Sequence, residues 1–124
     1  MTTTQNTSTD TSIIASITKT DRDNIAESRA AMMLTHAIWN YQSASQQVTE
    51  FAGYVKKSME TIIGTVADGQ RIYGNEVASW HGRLTEAVAE RQAAADKITE
   101  MSYLLGLDDN TREAMWVEIE SEVK

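Results

Sequence analysis

Residues 31–66 read AMMLTHAIWNYQSASQQVTEFAGYVKKSMETIIGTV. An apolar stripe recurs here at alternating steps of three and four residues, with Ser45 as its one polar member: Ala31, Leu34, Ile38, Tyr41, Ser45, Val48, Ala52, Val55, Met59, Ile62 and Val66. This period places the stripe on one face of an α-helix, whereas a β-strand alternates its faces every second residue. The stretch therefore predicts a long helix, assigned to residues 21–66 and beginning near Thr20-Asp21, with coiled-coil-like packing.

A second stripe follows two turn-type dipeptides, Asp68-Gly69 and Gly74-Asn75. Its members are Val77, Trp80, Leu84, Ala87, Arg91, Ala94, Ile98, Met101 and Leu105. We expect a second helix over residues 76–105, folded back antiparallel on the first. A reversal near Arg71 would set Trp80 beside Ile62 and Ile63. The alternative is one unbroken helix through both stripes.

A short third helix is predicted over residues 110–123. Gly106 suits the left-handed position that ends a helix, and Asp108 and its neighbours can cap the next one. The predicted apolar face of this helix consists of Met115, Trp116, Ile119 and Val123. Because so short a helix is marginal alone, we expect it to dock on the first helix around Ile25, Met32 and Met33. Its surplus of acids indicates either a solubilising face or an acidic peptide presented to a basic partner through Trp116.

The predicted architecture is thus all-α: a long antiparallel helical hairpin with a short C-terminal third helix, expected to be oligomeric. Residues 1–20 are expected to form a disordered or weakly ordered tail, in which Ile13, Ile14 and Ile17 are able to form a short turn. Residues 21–124 are expected to form a single helical domain.

Composition excludes several classes of protein. The 124 residues contain no cysteine and no proline, and the net charge is −7. Without cysteine there is no disulfide framework or thiolate site. The negative charge argues against duplex nucleic acid and anionic bilayers as partners. The sequence lacks a transmembrane-length apolar run and signal-peptide features, so we expect a cytoplasmic location.

The chain carries no recognisable catalytic, cofactor or metal motif. His36 and His81 lack a Glu or His at the spacing that places metal ligands on one helix face. Neither Gly69 nor Gly74 belongs to a phosphate-binding loop. We therefore expect no enzymatic activity, no cofactor and no bound metal.

The segment from Ala30 to Thr49 contains no charged residue, although a solvated helix face normally carries Lys and Glu. One interpretation is that the third helix and a second subunit cover this segment. The other is that it adsorbs reversibly to an apolar surface. The candidate interaction residues along the chain are Met32, Met33, Trp39, Tyr41, Phe51, Tyr54, Ile63, Trp80, Met115 and Trp116.

Two local stretches resemble known families. The run Gly74-Asn75-Glu76-Val77-Ala78-Ser79-Trp80, followed by Leu84-Thr85-Glu86-Ala87-Val88-Ala89-Glu90, resembles the helical segment of phasins, which coat polyhydroxyalkanoate granules. The tripeptide Trp80-His81-Gly82 is similar to the Trp-x-Gly turn of type VII secreted helical hairpins. The phasin resemblance implies a hydrophobic granule surface as partner and a granule-associated location.

The leading hypothesis is a non-enzymatic, self-associating structural or surface-coating protein that is phasin-like. The alternatives are a protein-partner adaptor, a small bacteriophage structural or inhibitory protein, and a type VII secreted hairpin.

Overall fold

The computed structural model describes residues 12–19, 24–67 and 75–123, and this part of the chain contains four helices and no strand. The helices are α1 (Ile13–Ile17), α2 (Ile25–Ala67), α3 (Asn75–Leu104) and α4 (Asp109–Ser121). The all-α prediction is confirmed, and α2, α3 and α4 correspond to the three predicted helices. The predicted turn residues Asp68, Gly69 and Gly74 lie outside the described residues. None of the described helices is both long and apolar enough to cross a membrane.

Helices α2 and α3 pack as an antiparallel pair. Near the start of α3, the Ser58 hydroxyl donates to the Glu76 carboxylate at 3.3 Å. Towards the other end of α3, Ile98 shares a buried cluster with Leu34, which lies much earlier in α2. Residue numbers therefore rise along α2 as they fall along α3, which confirms the predicted hairpin and excludes one unbroken helix.

The predicted register of this hairpin is wrong by more than two helical turns. Trp80 packs against Tyr54 and Phe51, with ring centroids 4.5 and 5.8 Å apart, and does not lie beside Ile62 and Ile63 as a reversal about Arg71 would require. With 43 residues in α2 and 30 in α3, the two helices cannot match at both ends. Since Ser58 lies beside Glu76, the last nine residues of α2 extend about 13 Å beyond that contact.

The large buried side chains cluster where all four helices meet. This cluster is contributed by every helix: Ile17 of α1, Leu34 and Ile38 of α2, Ile98 and Met101 of α3, and Met115 and Ile119 of α4. We call this end of the molecule the head, which comprises α1, α4, residues 30–45 and residues 94–105. We call residues 46–64 of α2 and residues 76–91 of α3 the arm.

The predicted docking of the third helix is confirmed, but its receptor is different. Met115 and Ile119 are completely buried, and Trp116 packs edge-on against Tyr41 with ring centroids 5.1 Å apart. Ile25 and Met32, which were expected to receive this helix, are exposed. Helix α4 instead packs where the heptad stripe of α2 meets α3. Met115 and Ile119 share one buried cluster there with Leu34 and Ile98, so α4 buries its apolar face against both helices of the hairpin.

The helix ends follow local chemistry. The Thr111 amide donates to the Asp108 carboxylate at 2.8 Å, and this hydrogen bonding holds the pKa of Asp108 below its usual value. Gly106 adopts a φ of 69° after α3, as predicted for a glycine at this position. At the start of α2, the Ala26 amide donates to the Asn24 side chain at 2.8 Å. Asn24 therefore caps the first turn of α2. Thr20 and Asp21, where the start of this helix was predicted, lie outside the described residues.

Helix α1 lies within the range that was assigned to an N-terminal tail. It is the short turn expected from Ile13, Ile14 and Ile17, and Ile17 is buried against the core. A single carboxylate of α4 holds its first turn: Glu118 accepts from the Ile13 amide at 2.7 Å and from the Ser12 hydroxyl at 2.8 Å. Residues 1–11 lie outside the described part of the chain.

Candidate interaction surface

The outward side of α2 carries large apolar side chains. Ile25, Met32 and Trp39 follow one another at steps of seven residues, and Trp39 is 75% exposed. A seven-residue step is close to two helical turns, so the three side chains form a line about 21 Å long. Met33 is exposed beside this line.

Polar but uncharged residues separate these apolar side chains. Thr35, His36, Asn40 and Ser43 are all exposed along the same part of α2. We call Met32, Met33, Trp39 and these four polar residues the neutral face. It combines apolar area with hydrogen-bonding groups and contains no Asp, Glu, Lys or Arg.

Two grooves flank the neutral face. The larger, of about 770 Å³, lies between α2 and α3 beside Met32, Met33 and His36. Three alanines of its lining, Ala37, Ala44 and Ala94, are buried. The smaller groove, of about 350 Å³, lies on the opposite side of His36 and is bordered by Trp39, Ile14, Ile38, Gln42 and Glu122. The neutral face is therefore a ridge with a depression on each side.

The candidate residues predicted from the sequence fall into four groups. Met32, Met33 and Trp39 belong to the neutral face, and Ile63 is exposed near the end of α2. Tyr41, Met115 and Trp116 pack within the head. Phe51, Tyr54 and Trp80 form an aromatic cluster in the arm.

The aromatic cluster joins α2 to α3. The Tyr54 ring lies 4.5 Å from that of Trp80, and the Arg83 guanidinium lies 5.1 Å from the same indole. The Tyr54 hydroxyl donates to the Glu50 carboxylate at 3.2 Å, and this contact raises the pKa of Tyr54 above its usual value. The three rings contact one another at tilted angles, and these contacts hold α2 and α3 together in the arm.

The contacts of α4 in the head leave its apolar face unavailable. Met115 is completely buried and Trp116 packs on Tyr41. Burial, reinforced by the Glu120 carboxylate, raises the pKa of Tyr41 above its usual value. The Gln42 amide donates to the Ile119 carbonyl at 3.3 Å and to the Glu122 carboxylate at 3.1 Å. In this fold Trp116 does not project as an anchor for a basic partner.

Several exposed apolar residues were not among the candidates. Ile25, Met59 and Val88 are exposed, as are Tyr103, Leu104 and Val117. The exposure of Ile25 could have been predicted, because it precedes Met32 and Trp39 at the same seven-residue spacing. Met59 gave no such signal, because it belongs to the heptad stripe that was expected to be buried.

Comparisons with known proteins do not assign this chain to a family. No protein-family model matches it, and no match was found among curated proteins or solved structures. Within the described residues, no group of three or more His, Asp or Glu side chains is placed to hold a metal ion.

Proposed function

We propose that this chain is a non-enzymatic helical coating protein that binds apolar surfaces through the neutral face of α2. The observation that carries this proposal is Trp39, a large aromatic side chain that is 75% exposed within a charge-free segment. A phasin-like role on a hydrophobic granule is one form of this function. The resemblance of residues 74–90 to phasins supports it independently of the neutral face.

The chemistry of the neutral face favours an uncharged apolar partner over a charged one. An acidic or basic partner is normally recognised by complementary charges, which this face does not carry. Met32, Met33 and Trp39 supply apolar area, while Thr35 and Asn40 keep the free face hydrated. Since the head holds its own core elsewhere, binding through this face does not require the fold to open.

Adsorption to neutral polyester particles tests the proposal. We expect the full chain to adsorb with little dependence on salt, because the contact does not rely on ion pairs. Trp39→Glu should reduce the adsorbed fraction by about tenfold, since it removes the largest apolar side chain and buries a charge. The matched control is Ala89→Glu, which adds the same charge at an exposed site on α3. Equal adsorption of wild type and Trp39→Glu would contradict the proposal.

Self-association through the same face is a second candidate function. The alanine-lined groove beside Met32 and Met33 favours it, because small side chains let another helix approach closely. Light scattering at micromolar concentration distinguishes the two functions. If the neutral face binds other copies, Trp39→Glu should dissociate the assembly into monomers. If it binds only apolar surfaces, the variant should scatter like the wild type.

A further inference from the structure

The arm carries an apolar face that no described residue covers. The heptad stripe of α2 is buried at Leu34 and Ile38, where α1 and α4 pack. The same stripe is exposed at Ala52 and Met59, beyond the end of α4. Ile63, which lies next to the stripe, is 66% exposed. The apolar pattern of the sequence therefore continues past the part of the fold that uses it.

We infer that this face of the arm binds the same face of a second copy of the chain, with the two α2 helices antiparallel and a two-fold axis at the level of residue 58. This surface is separate from the neutral face, so the inference does not depend on the proposed coating function. The charged and small residues that border the apolar face point to both this partner and this orientation.

Charge complementarity gives the orientation. Lys56 and Glu60 lie one turn apart beside the apolar face, and neither forms an ion pair within the described chain. In a two-fold interface residue i contacts residue j of the partner, and j contacts i. An antiparallel pairing centred on residue 58 therefore places Lys56 of each copy opposite Glu60 of the other. Two reciprocal ion pairs result from one pairing of helices.

Two glycines indicate the same centre. Gly53 and Gly64 lie inside α2, where glycine weakens a helix relative to alanine. A Cβ atom added at either position meets nothing within 4 Å, so no contact within the chain requires a glycine there. Their midpoint falls between residues 58 and 59. In the antiparallel pair, Gly53 of one copy lies beside Gly64 of the other, where the missing side chains allow close approach of the two backbones.

These residues share one side of α2. At 100° per residue, Lys56, Glu60, Gly53 and Gly64 lie within about 80° of one another around the helix axis. Ala52, Met59 and Ile63 occupy the adjoining arc of about 40°. A second α2 helix seated on this side would contact both sets together. A partner of different sequence would not explain why the charges and the glycines have nearly the same midpoint.

Cysteine cross-linking tests the orientation, because the natural chain contains no cysteine. Within one copy, positions 53 and 64 are about 16 Å apart along α2, too far for a disulfide. We expect the full chain carrying Gly53→Cys and Gly64→Cys to form a covalent dimer on mild oxidation. Each single variant should remain uncross-linked, because antiparallel pairing keeps identical positions about 16 Å apart. A double variant that stays monomeric, or single variants that cross-link, would overturn the inference.

Charge reversal tests the ion pairs. Lys56→Glu should weaken dimerisation by about tenfold or more in analytical ultracentrifugation, because symmetry places like charges together twice. Adding Glu60→Lys to that variant should restore the dimer. Arg29→Glu, an exposed site near the start of α2, is the matched control and should leave the dimer intact. A monomeric wild type would overturn the arm pairing, and so would association that is lost in Trp39→Glu but kept in Lys56→Glu. Neither result bears on the coating function, which the adsorption to polyester particles tests.

Discussion

Glu118 links the two ends of the chain through one carboxylate. It accepts from the Ser12 hydroxyl and the Ile13 amide, 106 and 105 positions earlier in the sequence. Because the first amides of a helix have no partner within it, this carboxylate serves α1 as a cap supplied by α4. The side chain thereby helps to hold Ile17 against the core.

Replacing Glu118 should loosen α1. Glu118→Ala removes the acceptor for these donors, and we expect it to lower the free energy of unfolding by about 1–3 kcal/mol in urea titrations. Hydrogen exchange over residues 13–17 should become faster in the same variant. Glu113→Ala, an exposed carboxylate on the same helix, is the control and should have little effect. Similar losses in both variants would mean that Glu118 acts through general charge and not through the cap.

The periodicity of the sequence predicted the large side chains that are completely buried. The burial of Leu34, Ile98 and Met115 followed from their spacing along each helix. The role of Glu118 could not be predicted, because its partners are distant in sequence and nothing local marks it among the other acids of α4. Of the candidate interaction residues, Trp39 is exposed, whereas Met115 is buried, as its place on the docking face of the third helix predicted.

Among the elements, α4 depends most on its packing. It contains 13 residues, and an isolated helix of this length is marginal in water. The sequence shows both its capping residue, Asp108, and its apolar face, so the existence of this helix and its docking were predicted. The predicted receptor was wrong, because an amphipathic pattern indicates that a helix docks and leaves open which face of α2 receives it.

Truncating one side chain on each side of α4 should show which face is docked. Met115 is completely buried, so Met115→Ala should destabilise the fold by about 2–5 kcal/mol. Val117 is exposed on the same helix, and Val117→Ala should change stability by less than about 0.5 kcal/mol. Thermal unfolding followed by circular dichroism measures both. Equal, small effects would show that α4 is not held by its apolar face.

The register of the hairpin could not be predicted from the apolar stripes. The two stripes predicted both helices and their antiparallel packing, but stripes slide past one another in steps of a heptad with little change in pattern. The packing of Trp80 against Tyr54 selects one of these steps. That choice depends on the fit of particular aromatic rings, which spacing alone does not encode.

Across the whole molecule, the core is distributed unevenly. The large completely buried side chains belong to the head: Leu34, Ile98, Met115 and Ile119. The buried residues of the arm are small, such as Ser58 and Ala87. Local stability follows the density of buried apolar contacts. In an isolated copy of the chain, the head should therefore be more stable against local unfolding than the arm.

Hydrogen exchange measured at two protein concentrations should resolve this asymmetry. In dilute solution, amides of residues 46–64 and 76–91 should exchange faster than those of residues 30–45 and 94–104, because the arm opens without disrupting the head core. At high concentration a second copy covers the arm, and binding to the closed state slows its opening by mass action. Protection should then rise along α2 around residue 58 while the head stays unchanged. Lys56→Glu should abolish this concentration dependence, whereas a uniform rise in protection along the chain would point to association that does not involve the arm.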